Sequence, residues 1–304
     1  MITAPPHDDY APSLGNLSCA SCGFDISDYE GSCPDCQTPV ELSRMIATRG
    51  IPQRFVSVLG ASGAGKTVYL GLLLDLLNRG ENHLKGLAND AFSVALQEQV
   101  VTALEHRVFP DKTPAEADAW KWVHCEITSG EKERLKQIDL VAPDFAGEAI
   151  AMEISQAGLY PAIRDVVKKS QGLLILCDSL KVRDAGPGED LFAMKLASYI
   201  AQLHASGKES DRKRQDIRAA IAVVFTKSDV CPEAREDPAL FAANNMPRLA
   251  EFCRRTFGKH AFFAASVAGS TGMLTDRSGR QRQIPLHIEP HGILEPLEWI
   301  VANC

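Results

Sequence analysis

This 304-residue sequence predicts an α/β fold with a mostly parallel sheet. Three observations carry that prediction. Phe55–Gly80 reads as strand, glycine-rich loop and helix. The runs 172–178 (GLLILCD) and 219–226 (AAIAVVFT) are continuously apolar, as in strands buried on both faces. Strand and helix signals then alternate to the end of the chain.

The bulk numbers exclude several classes. Hydrophobic content of 45% and charged content of 23% are those of an ordinary soluble globular chain. A net charge of −7 gives no general attraction to nucleic acid or to anionic membrane. The longest apolar run, around Leu70–Leu77, is interrupted by Asp75 and is too short to span a bilayer. The polar start MITAPPHDDY lacks the basic and apolar stretches of a secretory signal, so a cytoplasmic location is expected.

Along the chain, residues 1–15 are rich in Pro, Asp and Ala and read as a disordered tail. Residues 16–40 hold CASCG and CPDC, with Cys19, Cys22, Cys33 and Cys36. Each Cys-x-x-Cys turns two thiolates toward one point, and the ten residues between the pairs suffice for a short hairpin. Four thiolates in tetrahedral array suit structural zinc. Iron in a rubredoxin-like site and redox-active thiols are the alternatives. So small a piece has little core, so metal would supply its folding energy, on the order of 10 kcal/mol. Few basic residues there argue against nucleic acid. Residues 41–51 read as a linker with one short helical turn, and 52–304 as the α/β domain.

Within that domain, Phe55–Leu59 forms a strand and GASGAGKT, Gly60–Thr67, matches Gly-x-x-x-x-Gly-Lys-Thr. Leu70, Leu73, Leu74 and Leu77 then follow helical spacing to Gly80. This context makes the motif a phosphate-binding loop. The backbone of Gly60, Ala61, Ser62, Gly63, Ala64 and Gly65 would curl round phosphate oxygens. Lys66 would reach the terminal phosphates and Thr67 would bind Mg²⁺. Phe92, Leu96, Val100 and Leu104 predict an additional helix starting near Asn89 or Asp90. KWVHCEIT reads as a second strand, turned by SGEK into a third that ends at Asp144 in DFAGE. There Asp144 could hold Mg²⁺ through water, and the Gly147 N–H could bond a γ-phosphate.

The later strands end in further motifs. TKSD (Thr226, Lys227, Ser228, Asp229) follows the second apolar run. It resembles the Asn/Thr-Lys-x-Asp guanine-recognition motif, in which Asp229 could accept from the guanine ring N–H and exocyclic amine and Lys227 could lie along the base. AFFAASVAG ends a last strand at Ser266 and Val267 and resembles the loop whose backbone N–H groups meet the guanine oxygen. These motifs occur in order at the carboxyl ends of strands, where ligands bind in open α/β sheets.

From about residue 52 onward the chain resembles a Ras-like P-loop GTPase of the translation-factor-related class. More narrowly it resembles the bacterial double-GTPase family of conflict and defence systems, on the cysteine front end, DFAGE, TKSD and the tail ILEPLEWIV. The resemblance implies a mostly parallel six-stranded sheet with one antiparallel strand and helices on both faces. It also implies GTP/GDP binding, slow Mg²⁺-dependent hydrolysis, and regulatory or effector proteins that read the switch loops. The zinc ribbon would serve as a docking module. Thr113, in the proline-flanked FPDKTPAEA, is the candidate for the threonine of the first switch that meets Mg²⁺ and the γ-phosphate. Glu148 stands where Ras-like enzymes use glutamine to orient the attacking water, which implies slow unassisted turnover. The basic clusters 211–218 and 275–283 read as solvated faces, and the dispersed histidines carry no role. The alternatives to a switch are a nucleotide-binding scaffold with negligible hydrolysis, and a P-loop ATPase or kinase with a coincidental TKSD.

Overall fold

A computed structural model of the chain describes residues 17–50, 54–80, 84–88, 90–116, 120–130, 136–185, 187–205, 217–275, 279 and 281–304. The expected tail at 1–15, the turn at 131–135 and most of the basic clusters lie outside these residues.

The elements follow in chain order. Helix α1 (Val40–Arg49) comes after the cysteine turns. Strand β1 (Phe55–Gly60) leads through the glycine loop into α2 (Lys66–Arg79). Next come β2 (Leu84–Ala88), α3 (Ala91–Glu105), β3 (Trp122–Ser129) and β4 (Lys136–Pro143). Helices α4 (Gly147–Ser155) and α5 (Pro161–Lys169) precede β5 (Ser170–Asp178), α6 (Ser179–Asp184) and α7 (Pro187–Ala205). Then follow β6 (Ala220–Thr226), α8 (Pro232–Glu236), α9 (Pro238–Asn245), α10 (Pro247–Thr256) and β7 (His260–Ala264). The chain finishes with β8 (Ser266–Thr275), β9 (Gln281–His291) and α11 (Glu295–Asn303).

Strands β1, β5, β6 and β7 form a parallel sheet in the order β1-β5-β6-β7. Its two faces bury different side chains. Leu59, Ile175, Val223 and Phe225 pack under α4, α5 and α7, with Ile150, Val166 and Leu196. Val58, Leu174, Leu176 and Val224 pack under α2, α3 and α11, with Leu73, Leu96 and Leu297. Helices on both faces explain why β5 and β6 are apolar without alternation. Each fully buried leucine or isoleucine contributes roughly 1.5–3 kcal/mol relative to exposure. Among the described residues the six expected strands are hydrogen-bonded as two sheets rather than one. Strand β4 packs beside β1 but belongs to the antiparallel sheet β2-β3-β4, where β2 is an additional edge strand. The hairpin β8–β9 pairs only with itself among the described residues and was not expected from the sequence.

The expected linker at 41–51 is instead mostly helix α1. Leu42 and Ile46, one turn apart, enter the core beside Phe55, and Gly50 closes the helix in the left-handed conformation. The cysteine segment is therefore fastened to the α/β domain. The Ala20 N–H donates to Ser43 Oγ at 3.0 Å. Lys169 donates to the Ala20 carbonyl and its ammonium sits 5.0 Å over the Phe55 ring. At the far end of α1, Arg49 pairs with Asp139 of β4 and, at 3.1 Å, with Glu126 of β3. His124 meets Asp139 at 3.1 Å, and burial holds its imidazole below its ordinary pKa.

Helix α3 starts where its sequence signal lies. Asp90 caps it by accepting from the Ser93 N–H at 2.8 Å, and also accepts from the Ser93 hydroxyl. Ser93 in turn bonds the His124 backbone of β3. Replacing Asp90 by alanine is expected to cost about 1–2 kcal/mol in urea unfolding, and by asparagine clearly less, because asparagine keeps the cap. Equal losses for the two variants would refute the cap as the cause.

Candidate functional site

A cleft opens at the carboxyl ends of the parallel strands. It is lined from the glycine loop, the loop after α3, the start of α4, the TKSD turn and the base of the β8–β9 hairpin. Of the candidate residues, Ser62, Gly63, Gly65, Lys66, Thr67, Thr113, Gly147 and Glu148 line it on one side. Thr226, Lys227, Asp229, Ser266 and Val267 line it on the other. Gly60, Ala61 and Ala64 belong to the same loop but do not line the cleft, and Asp144 lies beneath it.

The loop leaves β1 and enters α2 through Gly65, whose φ of 82° is left-handed and favours glycine. Lys66 is 6% exposed, and its ammonium donates to the carbonyls of Gly60 and Ala61, both at 3.0 Å. Burial pushes its pKa down to about 8, against the pull of Asp144. Thr226 ties the TKSD turn to the loop, its hydroxyl bonding the Ala64 carbonyl at 3.0 Å and that of Cys177 at 3.2 Å.

Three oxygens meet at the start of α2. Thr67 Oγ1 and Thr113 Oγ1 lie 2.8 Å apart, and each donates to Asp144 Oδ2 at 2.9 Å. Asp144 is 2% exposed, and its other oxygen, Oδ1, has no partner among the described residues. Burial raises its pKa, with the two hydroxyls opposing. Two hydroxyls and a buried, half-satisfied carboxylate form an oxygen donor set that fits a small hard cation such as Mg²⁺.

Three residues past Asp144, Gly147 opens α4 against the glycine loop. A Cβ there would overlap the Ser62 backbone and lie 2.5 Å from the Ala61 carbonyl carbon. Glu148 turns outward and accepts from Ser62 Oγ at 3.2 Å.

On the opposite wall, Lys227 adopts a left-handed φ of 59° and donates to Asp178 Oδ2 at 2.5 Å. Asp229 lies in the 3-10 turn Ser228–Val230; burial raises its pKa, and Oδ2 is buried without a partner among the described residues. The Ser228 N–H donates to the Ala265 carbonyl, which joins this turn to the chain leading into Ser266. Val267 falls in a register shift of the hairpin, outside its pairing. Sequence reasoning did not find Phe109, Tyr69, Thr271 and Gln283, which also line the cleft. Phe109 had a signal, an aromatic in the same proline-flanked loop as Thr113. Thr271 and Gln283 had none, because the hairpin alone brings them there.

The four cysteines form a separate cluster. Cys19 Sγ lies 3.5 Å from Cys36 Sγ, and Cys22 Sγ 3.6 Å from Cys33 Sγ. All four sulfurs lie within 4.8 Å of one another. Sulfurs around a tetrahedral zinc with Zn–S near 2.3 Å would be about 3.8 Å apart, so the cluster fits that ion. Among the described residues no helix is long and apolar enough to cross a membrane.

Residues 57–198 match the family model described as Double-GTPase 1. No curated protein matches the chain. Solved structures with similarity include Roco2 RocCORdC of Methanosarcina barkeri bound to GDP. It is 16% identical with a TM-score of 0.32, over 71% of this chain and 44% of that one. The GTPase-like domain of S. cerevisiae Ski7 bound to GTP is 17% identical with a TM-score of 0.42, over 86% and 52%. The present chain thus spans about half the length of these structures.

The contact at Gly147 can be tested by substitution. Gly147→Ala is expected to destabilise the chain by about 1–3 kcal/mol in urea unfolding, since the added methyl must displace α4 or the loop. An unchanged midpoint would mean that the two do not pack so closely.

Proposed function

Residues 57–198 belong to the double-GTPase family of P-loop GTPases, and from that premise we propose that this chain is a GTP-operated molecular switch that hydrolyses GTP slowly. The observation that carries the reading is the sharing of Asp144 by Thr67 and Thr113. One hydroxyl comes from the phosphate loop and one from the loop after α3. A γ-phosphate beside them would order the second loop, and its loss would release it.

The residues then take the following parts. Backbone N–H groups from Gly60 to Gly65, with Lys66, hold the phosphates. Thr67, Thr113 and Asp144 would hold Mg²⁺, which when bound neutralises phosphate charge. The Gly147 N–H, at the first turn of α4, reports the γ-phosphate. Asp229 accepts from the guanine N–H groups, and its buried oxygen, without a partner among the described residues, supports that part. Lys227 flanks the base, Thr226 holds the turn against the loop, and the Ser266 and Val267 N–H groups face the guanine oxygen. Glu148 has no N–H to donate, so it orients water less well than glutamine and turnover without a partner is slow.

The cysteine cluster is a structural zinc ribbon and a docking module. Regulatory or effector proteins read the Thr113 and Asp144–Glu148 segments, in the cytoplasm and in a bacterial conflict or defence setting. A second reading, a scaffold that binds GTP with negligible hydrolysis, is favoured by Glu148 and its bond to Ser62.

Nucleotide titration with Mg²⁺ tests the proposal. GTP and GDP are expected to bind well ahead of ATP, and Asp229→Ala to weaken GTP by at least about tenfold, as expected for loss of a site's polar partner. ATP binding as tight as GTP, with Asp229→Ala neutral, would identify an ATPase or kinase instead. Single-turnover hydrolysis separates switch from scaffold, and a rate of about one per second or more without a partner would contradict the part given to Glu148. Metal analysis should find one zinc per chain, lost in Cys33→Ser together with a lowered melting temperature. Metal-free protein with an unchanged melt would remove zinc from the account.

A further inference from the structure

We propose that Lys181 is a cationic finger built into the chain, which stabilises the charge that develops on the γ-phosphate and the β–γ bridging oxygen. The proposal rests on the GTP-hydrolysis reading above and adds a residue to that reaction.

Lys181 stands in α6, directly after β5. Its ammonium donates to the Ser62 carbonyl at 2.9 Å. It also lies 3.6 Å from where a Gly63 side chain would begin. Ser62 and Gly63 form the outer tip of the phosphate loop, and both line the cleft. The first turn of α4 abuts the same tip from the other side, through Gly147. A phosphate sensed by Gly147 would therefore have the ammonium of Lys181 as a neighbour across one loop residue. Lys66 approaches from within the loop, so the two lysines flank the loop backbone.

The base of Lys181 is fixed, and its ammonium rests on the Ser62 carbonyl. Asp178 caps α6, accepting from the Leu180 N–H at 3.1 Å and the Lys181 N–H at 3.4 Å. The same carboxylate holds Lys227 of the TKSD turn at 2.5 Å. One carboxylate thus sets the positions of a base-site lysine and of the lysine over the loop tip. Beyond that cap the side chain is exposed, and its four-carbon stem can carry the ammonium from the Ser62 carbonyl to a phosphate oxygen beside it.

Glu148 supplies the reason a cation belongs there. Its carboxylate sits 3.2 Å from Ser62 Oγ, where it would repel a γ-phosphate. Lys181, on the carbonyl of the same residue, offsets that charge. In the step itself, a water oxygen bonds to the γ-phosphorus while the bond to the β–γ bridging oxygen breaks. The electron pair stays on the GDP oxygen, and the water's proton leaves with inorganic phosphate. Lys181 supplies charge and keeps its own proton.

The test uses the full chain with Mg²⁺ and three readouts: single-turnover GTP hydrolysis, affinity for a fluorescent GTP analogue, and formation of a GDP–aluminium fluoride complex. Lys181→Ala is expected to slow hydrolysis by at least about tenfold and to abolish the aluminium fluoride complex, as when a charge-stabilising donor is removed. Its analogue affinity should change by less than about threefold, which marks a group acting in the transition state. Lys181→Arg should restore the complex and most of the rate. Wild-type hydrolysis matched by an unimpaired Lys181→Ala would overturn the proposal and leave the GTPase reading standing. A parallel loss of affinity and rate would also overturn it, by making Lys181 a general support of the loop. Wild-type protein that binds GTP without hydrolysis above the protein-free rate would overturn the hydrolysis reading, and the finger with it.

Discussion

A single buried carboxylate joins the parts of the cleft. Asp144 directly follows β4, and through one oxygen it accepts from the first turn of α2 and from the loop after α3. Those three segments are far apart in sequence and come from different layers of the fold. Water is nearly excluded from Asp144, so the two hydroxyls supply part of the solvation that it lost. Its position is also what brings Gly147, three residues on, against the glycine loop. The orientation of α4 is therefore set by where β4 stops, and β4 is held beside β1 by the shared core under α4 and α5.

A second carboxylate organises the opposite wall. Asp178 ends β5, caps a short helix and holds Lys227. Thr226 meanwhile bonds the glycine loop directly. The two walls are thus connected by hydrogen bonds as well as by the parallel sheet. Displacing the loop would be felt at the TKSD turn through Ala64, and at α6 through Ser62.

Much of this was legible in the sequence because its signals are local. Gly80 ends α2 and Asp90 starts α3 at the expected places, since caps are made by neighbouring residues. The two apolar runs became β5 and β6 because burial on both faces removes alternation. Asp144 and Gly147 were recognisable by spacing after a strand, and Thr113 by its proline-flanked loop. What stayed hidden depends on distant contacts. Helix α1 buries Leu42 and Ile46 in the core, but their partner Phe55 lies in another element. Strand β2, LKGLA, is short, and its Gly86 is explained only by the crowding of Leu77 and Cys125 against it. The β8–β9 hairpin is irregular, with several register shifts, so its alternation is blurred. Its Thr271 and Gln283 could not be assigned to a cleft that the hairpin itself helps to close.

The buried Arg49–Asp139 pair has a consequence for how this chain can change over generations. The two positions lie 90 residues apart, one in the helix behind the cysteine cluster and one in the strand that leads to Asp144. Asp139 is fully buried and Arg49 is 16% exposed. Losing Arg49 leaves the buried Asp139 carboxylate without its cation, at a cost of about 3–5 kcal/mol, whereas Arg49 without Asp139 keeps Glu126. Arg49 is therefore expected to change only together with Asp139. Any exchange of the cysteine module between relatives has to carry Arg49 with it, or find a strand whose residue at 139 no longer needs it.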